Sequence, residues 1–288
     1  MRQGIVLAGA FSLALLAFLG ARAIDGVEAV ARGVYRRAWR GHSADGREFR
    51  GWLEVRKAPT RGAYAGIALR VDAALAPLIA RVLAACKHAF DLDCRPEEVA
   101  TALGPLAHAR PGLRLPGAFD GLELGVRAIL GQQITVAAAR TLARRVVQTF
   151  GEPISTPFAA VTRLFPSAVT LADATPAALG ELGIVSQRAR AIVALARRVA
   201  DGLRLEPGAD LDTTLDELRA IAGIGDWTAH YIAMRALHWP DAFPPGDVAV
   251  LKAMNETRPA AANARAELWR PWRAYAVMHL WQSLEKTR

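Results

Sequence analysis

A short glycine motif and a single carboxylate are the residues whose types and spacing could do chemistry. Gly223-Ile224-Gly225 separates two predicted helices, and the second helix is expected to begin at Asp226. A tight turn of this kind leaves unpaired backbone N–H groups at the start of the second helix, and such groups bind phosphate. Asp247 follows the turn Pro244-Pro245-Gly246, twenty residues after Trp227. The spacing predicts a phosphate-binding hairpin with one carboxylate at a fixed distance from it.

The same residues also have a purely structural explanation. A G-I-G sequence is a common connection between helices, and an aspartate after Pro-Pro-Gly is a natural helix N-cap. The choice between the two explanations therefore depends on the rest of the chain.

The composition favours a basic, helical protein. The 288 residues include 36 Lys+Arg and 27 Asp+Glu, a net charge of +9, and 52% are hydrophobic while only 7% are aromatic. A surface this basic suits a polyanion, with nucleic acid the first candidate, although a genomic preference for Arg and Ala gives the same charge. Cys86 and Cys94 are too few for a cysteine-ligated cluster, a zinc site or a disulfide scaffold.

The first residues allow two interpretations. Ile5–Leu19 is an apolar run that follows Arg2, and Ala21-Arg22-Ala23 mimics a signal-peptide cleavage site. The run is short for a membrane span. We favour a buried helix in the first layer of a domain over a signal peptide, and we therefore expect a cytoplasmic, nucleoid-associated protein.

Alternating polar and apolar residues predict a small antiparallel sheet near the N-terminus. The predicted strands lie within residues 26–40 and over 48–56 and 64–71, with turns at 43–46 and 58–62. A helix over 75–90 is expected to cover the sheet. Residues 1–96 are thus predicted to form an α+β module.

Only helices are predicted beyond residue 96. They are expected at about 119–130, 133–150, 174–182, 187–202, 213–221, 226–237, 247–256 and 262–286. The predicted fold class is α+β: a small antiparallel sheet domain over 1–96, followed by an all-α region over 97–288 with a helix-hairpin-helix at about 213–237.

Five segments together resemble the helix-hairpin-helix DNA glycosylase superfamily, and within it the 3-methyladenine DNA glycosylases of type II, the inducible alkylation-repair type. They are FLGARAIDGVEAV (18–30), FDLDCRP (90–96), ARPGLRLPGAFDGLELGVRAILGQQ (109–133), the hairpin stretch 221–254 and WRPWRAYAVMHLW (269–281). The resemblance implies that the sheet domain is TATA-binding-protein-like, with a first strand ahead of the opening helix. Few residues are available for that strand, so it is short, or the start is unusual or trimmed from a longer fusion.

The resemblance implies that Asp247 is the catalytic residue. Excision of a damaged base breaks the bond between C1′ of the deoxyribose and the base, and a carboxylate near C1′ stabilises the oxocarbenium-like sugar or orients the attacking water. Relatives that also cut the backbone carry a lysine where this chain has Trp227, so monofunctional hydrolysis is expected.

The resemblance also implies an aromatic pocket for a base flipped out of the duplex, formed by Trp227, Tyr231 and Trp272. Electron-rich rings attract a cationic alkylated purine by about 0.5–2 kcal/mol, and damaged, weakly paired bases resist flipping least. For Trp272, packing at a helix end is the alternative. Base excision repair of alkylated purines is the expected function, and a non-catalytic helix-hairpin-helix DNA-binding protein is the alternative.

DNA contacts are expected from two further segments. Gln132 and Gln133 lie at the predicted start of a helix, where relatives insert a side chain into the gap left by the flipped nucleotide. Gln132 is expected to bind the substrate, either by lining the base pocket or by contacting the opposing strand. The resemblance also implies that Gln133 stands where a relative uses leucine. The hairpin is expected to hold phosphates through its backbone, at Ala222, Gly223, Ile224, Gly225 and Thr228. The expected partner is double-stranded DNA with alkylated bases, bound by a monomer that needs no metal or cofactor, with room for a monovalent cation at the hairpin.

Overall fold

The computed structural model describes residues 4–8, 12–58 and 66–285. Its strands are β1 (Gly4–Ala8), β2 (Glu28–Ala31), β3 (Val34–His42), β4 (Glu48–Lys57) and β5 (Gly66–Val71). The helices of the first half are α1 (Leu13–Arg22), a 3-10 helix (Ala73–Leu78), α2 (Ile79–Ala89), α3 (Pro96–Leu103), α4 (Pro105–His108), α5 (Gly121–Leu130) and α6 (Val136–Phe150). The second half has α7 (Ala168–Ala172), α8 (Pro176–Gly180), α9 (Ser186–Ala200), α10 (Leu211–Arg219), α11 (Asp226–Arg235), α12 (Val248–Ala253), α13 (Pro259–Ala266), a 3-10 helix (Glu267–Trp269) and α14 (Arg273–Glu285).

The predicted α+β class is confirmed, and the sheet is larger than expected. It has five antiparallel strands in the order β1-β5-β4-β3-β2. The sequence pattern predicts only three strands, because it does not separate β2 from β3 and it places β1 within the first apolar helix. Residues 59–65, which hold most of one predicted turn and the first residues of the third predicted strand, lie outside the described residues, as does Lys286 of the last predicted helix.

The apolar run at the N-terminus is a strand followed by a helix. β1 pairs with β5, which confirms the short strand ahead of the opening helix. α1 begins after Ser12, whose side chain accepts a hydrogen bond from the Leu15 N–H and caps the helix. The buried face of α1 is formed by Leu15, Leu16, Phe18 and Leu19. No helix among the described residues is long and apolar enough to cross a bilayer.

Among the described residues there are two large hydrophobic cores and one small cluster around Ala38, Val161 and Leu164. One large core joins α1, the sheet and α2–α4 to residues of α12–α14, and the other lies among α5–α11. Because α2, α3 and α4 share a core with the sheet, packing is continuous past residue 96. The domain boundary that the sequence places there stays a prediction.

Buried charges connect the sheet to α5. The Arg37 guanidinium of β3 lies 2.7 Å from the Glu123 carboxylate, and Arg127 bonds both Glu123, at 2.8 Å, and Glu28, at 2.7 Å. The Tyr35 hydroxyl also donates to Glu28. Burial would raise the pKa of Glu28, but the charges of Arg127 and Arg37 outweigh it and lower that pKa. Glu28 is therefore a buried, ionised residue between the two parts of the chain.

A pair of histidines makes a second connection. The Ala118 N–H donates to His88 Nε2, at 3.2 Å, so a neutral His88 carries its proton on Nδ1. His88 Nδ1 lies 3.0 Å from His238 Nδ1, and His238 Nε2 lies 3.2 Å from the buried Asp91 carboxylate. Burial, with the charges of His238 and Arg235, lowers the pKa of His88 to about 3. The folded protein therefore favours the neutral form of His88.

We expect the free energy of unfolding to fall as the pH drops from 6.5 towards 4. An unfolded histidine binds a proton below about pH 6.5, whereas folded His88 stays neutral until about pH 3. The contribution of neutral His88 to the free energy of unfolding is complete above pH 6.5. Below pH 6.5 the free energy of unfolding falls by up to about 1.4 kcal/mol for each pH unit. In urea titrations, His88→Gln should show a shallower pH dependence than wild type, whereas the exposed-site variant His108→Gln should follow wild type. Parallel curves for His88→Gln and wild type would contradict this expectation.

Candidate active site

The glycine turn between α10 and α11 exposes backbone at the start of α11. Gly223 has a φ of +96°, and a Cβ there would lie 3.1 Å from the Ala191 Cβ, so the position suits glycine alone. Ile224 is buried and anchors the turn, while Gly225 precedes the helix with no side-chain cap. The N–H groups of the first turn of α11 therefore have no intrahelical partner, and the turn can bind an anion.

Asp247 caps α12, as the structural explanation predicted, and it does more. Its Oδ1 accepts from the Val250 N–H at 2.8 Å and from the Trp281 indole N–H at 3.0 Å. Its Oδ2 accepts from the Trp227 indole N–H at 2.8 Å. The residue is 7% exposed. Two indoles from α11 and α14 thus hold one carboxylate between them.

An aromatic cavity of about 600 Å³ opens beside this carboxylate. Trp227 and Tyr231 stack at 5.3 Å with 12° between their planes, one helical turn apart on α11, and Trp281 lies 6.1 Å from Tyr231. The lining also includes charged side chains, which come from α1, β2, α5 and α11: Arg22, Glu28, Arg127 and Arg235. The cavity therefore combines π faces with the buried charges that connect the sheet to α5.

Trp272, which the sequence placed in this cavity, lies apart from it. It immediately precedes α14, is partly buried, and packs edge-on against Tyr275 at 5.6 Å. Trp281 lies nine residues further along the chain and lines the cavity instead. The motif at 269–281 contains both tryptophans, so the sequence indicated the segment, but only helix packing shows which indole meets Asp247.

Gln132 and Gln133 lie in the loop before α6, ahead of the helix rather than in its first turn. The Gln132 amide donates to the Gly223 carbonyl at 2.9 Å and to the Thr228 hydroxyl at 3.0 Å, outside the cavity lining. The Arg188 guanidinium of α9 donates to the Gln132 carbonyl. Gln133 is exposed and has a φ of +55°. Gln132 therefore ties this loop to the hairpin, and Gln133 projects from it.

The sequence did not predict that Trp281 or the charged residues Glu28 and Arg127 would line the cavity. Glu28 belongs to the segment 18–30, and Arg127 to the segment 109–133, that carried the resemblance. Nothing in either segment showed that these two side chains would meet. Thr228, which was expected to contact DNA, is buried, and its hydroxyl is engaged by Gln132.

Removing one indole N–H should slow the chemistry expected at Asp247. Trp281→Phe keeps an aromatic ring but leaves Oδ1 with only the Val250 N–H, so single-turnover base excision should slow by about 10- to 100-fold. Trp272→Phe is the matched control and should stay within about twofold of wild type, because Trp272 does not contact the carboxylate. Equal losses in both variants would mean that general packing, not the hydrogen bond, carries the effect.

Comparisons with known proteins agree with this geometry. Residues 12–120 match the AlkA N-terminal domain family, and residues 126–274 match the HhH-GPD superfamily base excision DNA repair protein family. DNA-3-methyladenine glycosylase 2 of Escherichia coli (strain K12) is 40% identical over 268 residues, 93% of this chain and 92% of that protein.

Solved structures of DNA glycosylases share the fold. The 3-methyladenine DNA-glycosylase from Archaeoglobus fulgidus has a TM-score of 0.79 at 21% identity and covers 99% of both chains. The Clostridium acetobutylicum 8-oxoguanine glycosylase/lyase in complex with dsDNA has a TM-score of 0.71 at 16% identity, over 99% of this chain and 98% of that one. With a glycine hairpin, a clamped carboxylate and matches along most of its length, the chain belongs to the HhH-GPD superfamily of base excision DNA repair proteins and carries an AlkA N-terminal domain.

Proposed function

We propose that the chain is a monofunctional DNA glycosylase that flips alkylated purines of the 3-methyladenine type out of DNA and hydrolyses their N-glycosidic bond. The observation that carries this proposal is the Asp247 carboxylate, held by Trp227 and Trp281 beside an aromatic cavity. The name of the E. coli relative supports the substrate class.

In this proposal Asp247 acts as a fixed negative charge. Its two oxygens already accept three hydrogen bonds, so the carboxylate is held in one orientation before the substrate arrives. As the C1′–N bond breaks, positive charge develops on the sugar, and a preorganised anion stabilises it without rearrangement. Water then adds to C1′, and its proton passes to the carboxylate or to solvent.

The cavity suits an alkylated purine. The faces of Trp227, Tyr231 and Trp281 attract a cationic base by about 0.5–2 kcal/mol per favourable contact. Such a base leaves as a neutral molecule and needs no proton. Among the described residues that line the cavity there is no lysine, which supports hydrolysis rather than Schiff-base chemistry.

DNA binding is assigned to the glycine turn and the loop beside it. The turn at Ala222–Gly225 would hold phosphates through backbone N–H groups, and exposed Gln133 would enter the gap left by the flipped base. Gln132 joins the two segments, so they would act as one unit. One copy of the chain supplies every residue of this site, so a monomer suffices.

Asp247→Asn tests the proposal. The amide keeps the size of the side chain but removes its charge, so excision of alkylated purines should fall by at least about 100-fold while binding to undamaged duplex is retained. Asp226→Asn is the matched control, because this exposed carboxylate lies at the start of α11 and pairs with Arg219 at 2.7 Å. The rate at which the Asp226 variant excises alkylated purines, measured as formation of abasic sites, should match wild type.

Two outcomes would contradict the proposal. Full activity in the Asp247 variant would remove Asp247 from the reaction. If wild type binds lesion-bearing DNA tightly but releases no base, the non-catalytic DNA-binding alternative is correct.

A further inference from the structure

A neutral damaged base needs a hydrogen-bond donor in the cavity, whereas a cationic base does not. When the C1′–N bond breaks, its electron pair moves to the base. A cationic alkylated purine becomes neutral, whereas a neutral base such as hypoxanthine becomes an anion that needs a hydrogen-bond donor. The carboxylates of the cavity cannot supply one. Glu28 is ionised and accepts from Arg127 and Tyr35, and Asp247 is held by two indoles.

The Tyr231 hydroxyl is a donor whose hydrogen is not used. Arg235, one turn further along α11, donates through Nη1 to the Tyr231 oxygen at 2.9 Å. Because arginine only donates, the hydroxyl oxygen is the acceptor and its own hydrogen is left over. Within residues 4–8, 12–58 and 66–285, no group accepts a hydrogen bond from that hydroxyl. Tyr231 lines the cavity, so its hydroxyl hydrogen is available to a bound base.

Arg235 is itself fixed in place. It is 4% exposed, and its Nε and Nη2 donate to the carbonyls of Pro116 and Gly117, respectively. The guanidinium also lies 5.0 Å over the Phe18 ring. No carboxylate among the described residues forms an ion pair with it. Its guanidinium therefore both orients the Tyr231 oxygen and polarises the O–H bond.

We propose that the Tyr231 hydroxyl, positioned by Arg235, donates a hydrogen bond to the leaving base, and that this bond extends the reaction to neutral lesions. The inference rests on the proposed function and adds a donor for the leaving group to it. No proton transfer is required: the hydrogen bond stabilises the base anion, which takes its proton from water after release.

The test compares two lesions in one variant. Tyr231→Phe keeps the ring stacked on Trp227 and removes only the hydroxyl. Single-turnover release of hypoxanthine, a neutral base, should fall by about 10- to 100-fold, the effect of a hydrogen bond to a charged group. Release of 7-methylguanine, a cationic base, should fall much less, because that base leaves as a neutral molecule and needs no donor. The measured quantity is the ratio of the two rates, which a general loss of packing would leave unchanged.

A second variant reverses the direction of the effect. Replacing Tyr231 with 3-fluorotyrosine makes the hydroxyl a stronger donor and retains the ring, so hypoxanthine release should be equal to or faster than wild type. Recovery of the rate in this variant, after its loss in Tyr231→Phe, assigns the effect to the hydrogen bond.

The outcomes separate this inference from the proposed function. An unchanged rate ratio in Tyr231→Phe overturns the inference, as does a wild type that releases 7-methylguanine but no hypoxanthine. In both cases the proposed function stands. A wild type that releases neither base overturns both.

Discussion

Buried charges between the sheet and α5 determine where the cavity lies. Arg37 on β3 and Glu28 on β2 reach across to Glu123 and Arg127 on α5. Removing one partner of such a buried pair costs about 3–5 kcal/mol, so these ion pairs fix the position of α5 relative to the sheet. Glu28 and Arg127 also line the cavity, and the contact that joins the modules is therefore also part of the site.

The position of the Asp247 carboxylate depends on how the two cores are placed relative to each other. Trp227 reaches Asp247 from α11, which belongs largely to the helical core, and Trp281 reaches it from α14, which packs in the core of the sheet. Each indole has two tasks, since its N–H fixes the carboxylate and its ring faces the cavity. A small movement between the cores would change the orientation of the anion and the shape of the cavity together. This coupling explains how a buried aspartate can be kept in place next to a space open to a base.

Local features of the site were predictable from the sequence. Gly223 is needed because the turn requires a positive φ, and Asp247 caps α12 because a carboxylate after a Pro-Pro-Gly turn can accept the Val250 N–H. Trp227 and Tyr231 stack because residues four apart share a helix face. Within the fold, most helices and the central strands followed from periodicity. β1 did not, because its pairing with β5 connects residues about sixty positions apart.

The sequence by itself determined the chemistry available to the chain: a backbone anion site, one candidate carboxylate, aromatic rings and no lysine at the hairpin. Each depends on residue type and on spacing within a turn or a helix. Only the tertiary structure decided which groups meet. It brought Trp281 rather than Trp272 to Asp247, turned Gln132 towards the hairpin, and placed Glu28, Arg127 and Arg235 around the cavity. These contacts join residues that are far apart in the chain, so they depend on how helices and sheet pack, which spacing along the sequence does not specify.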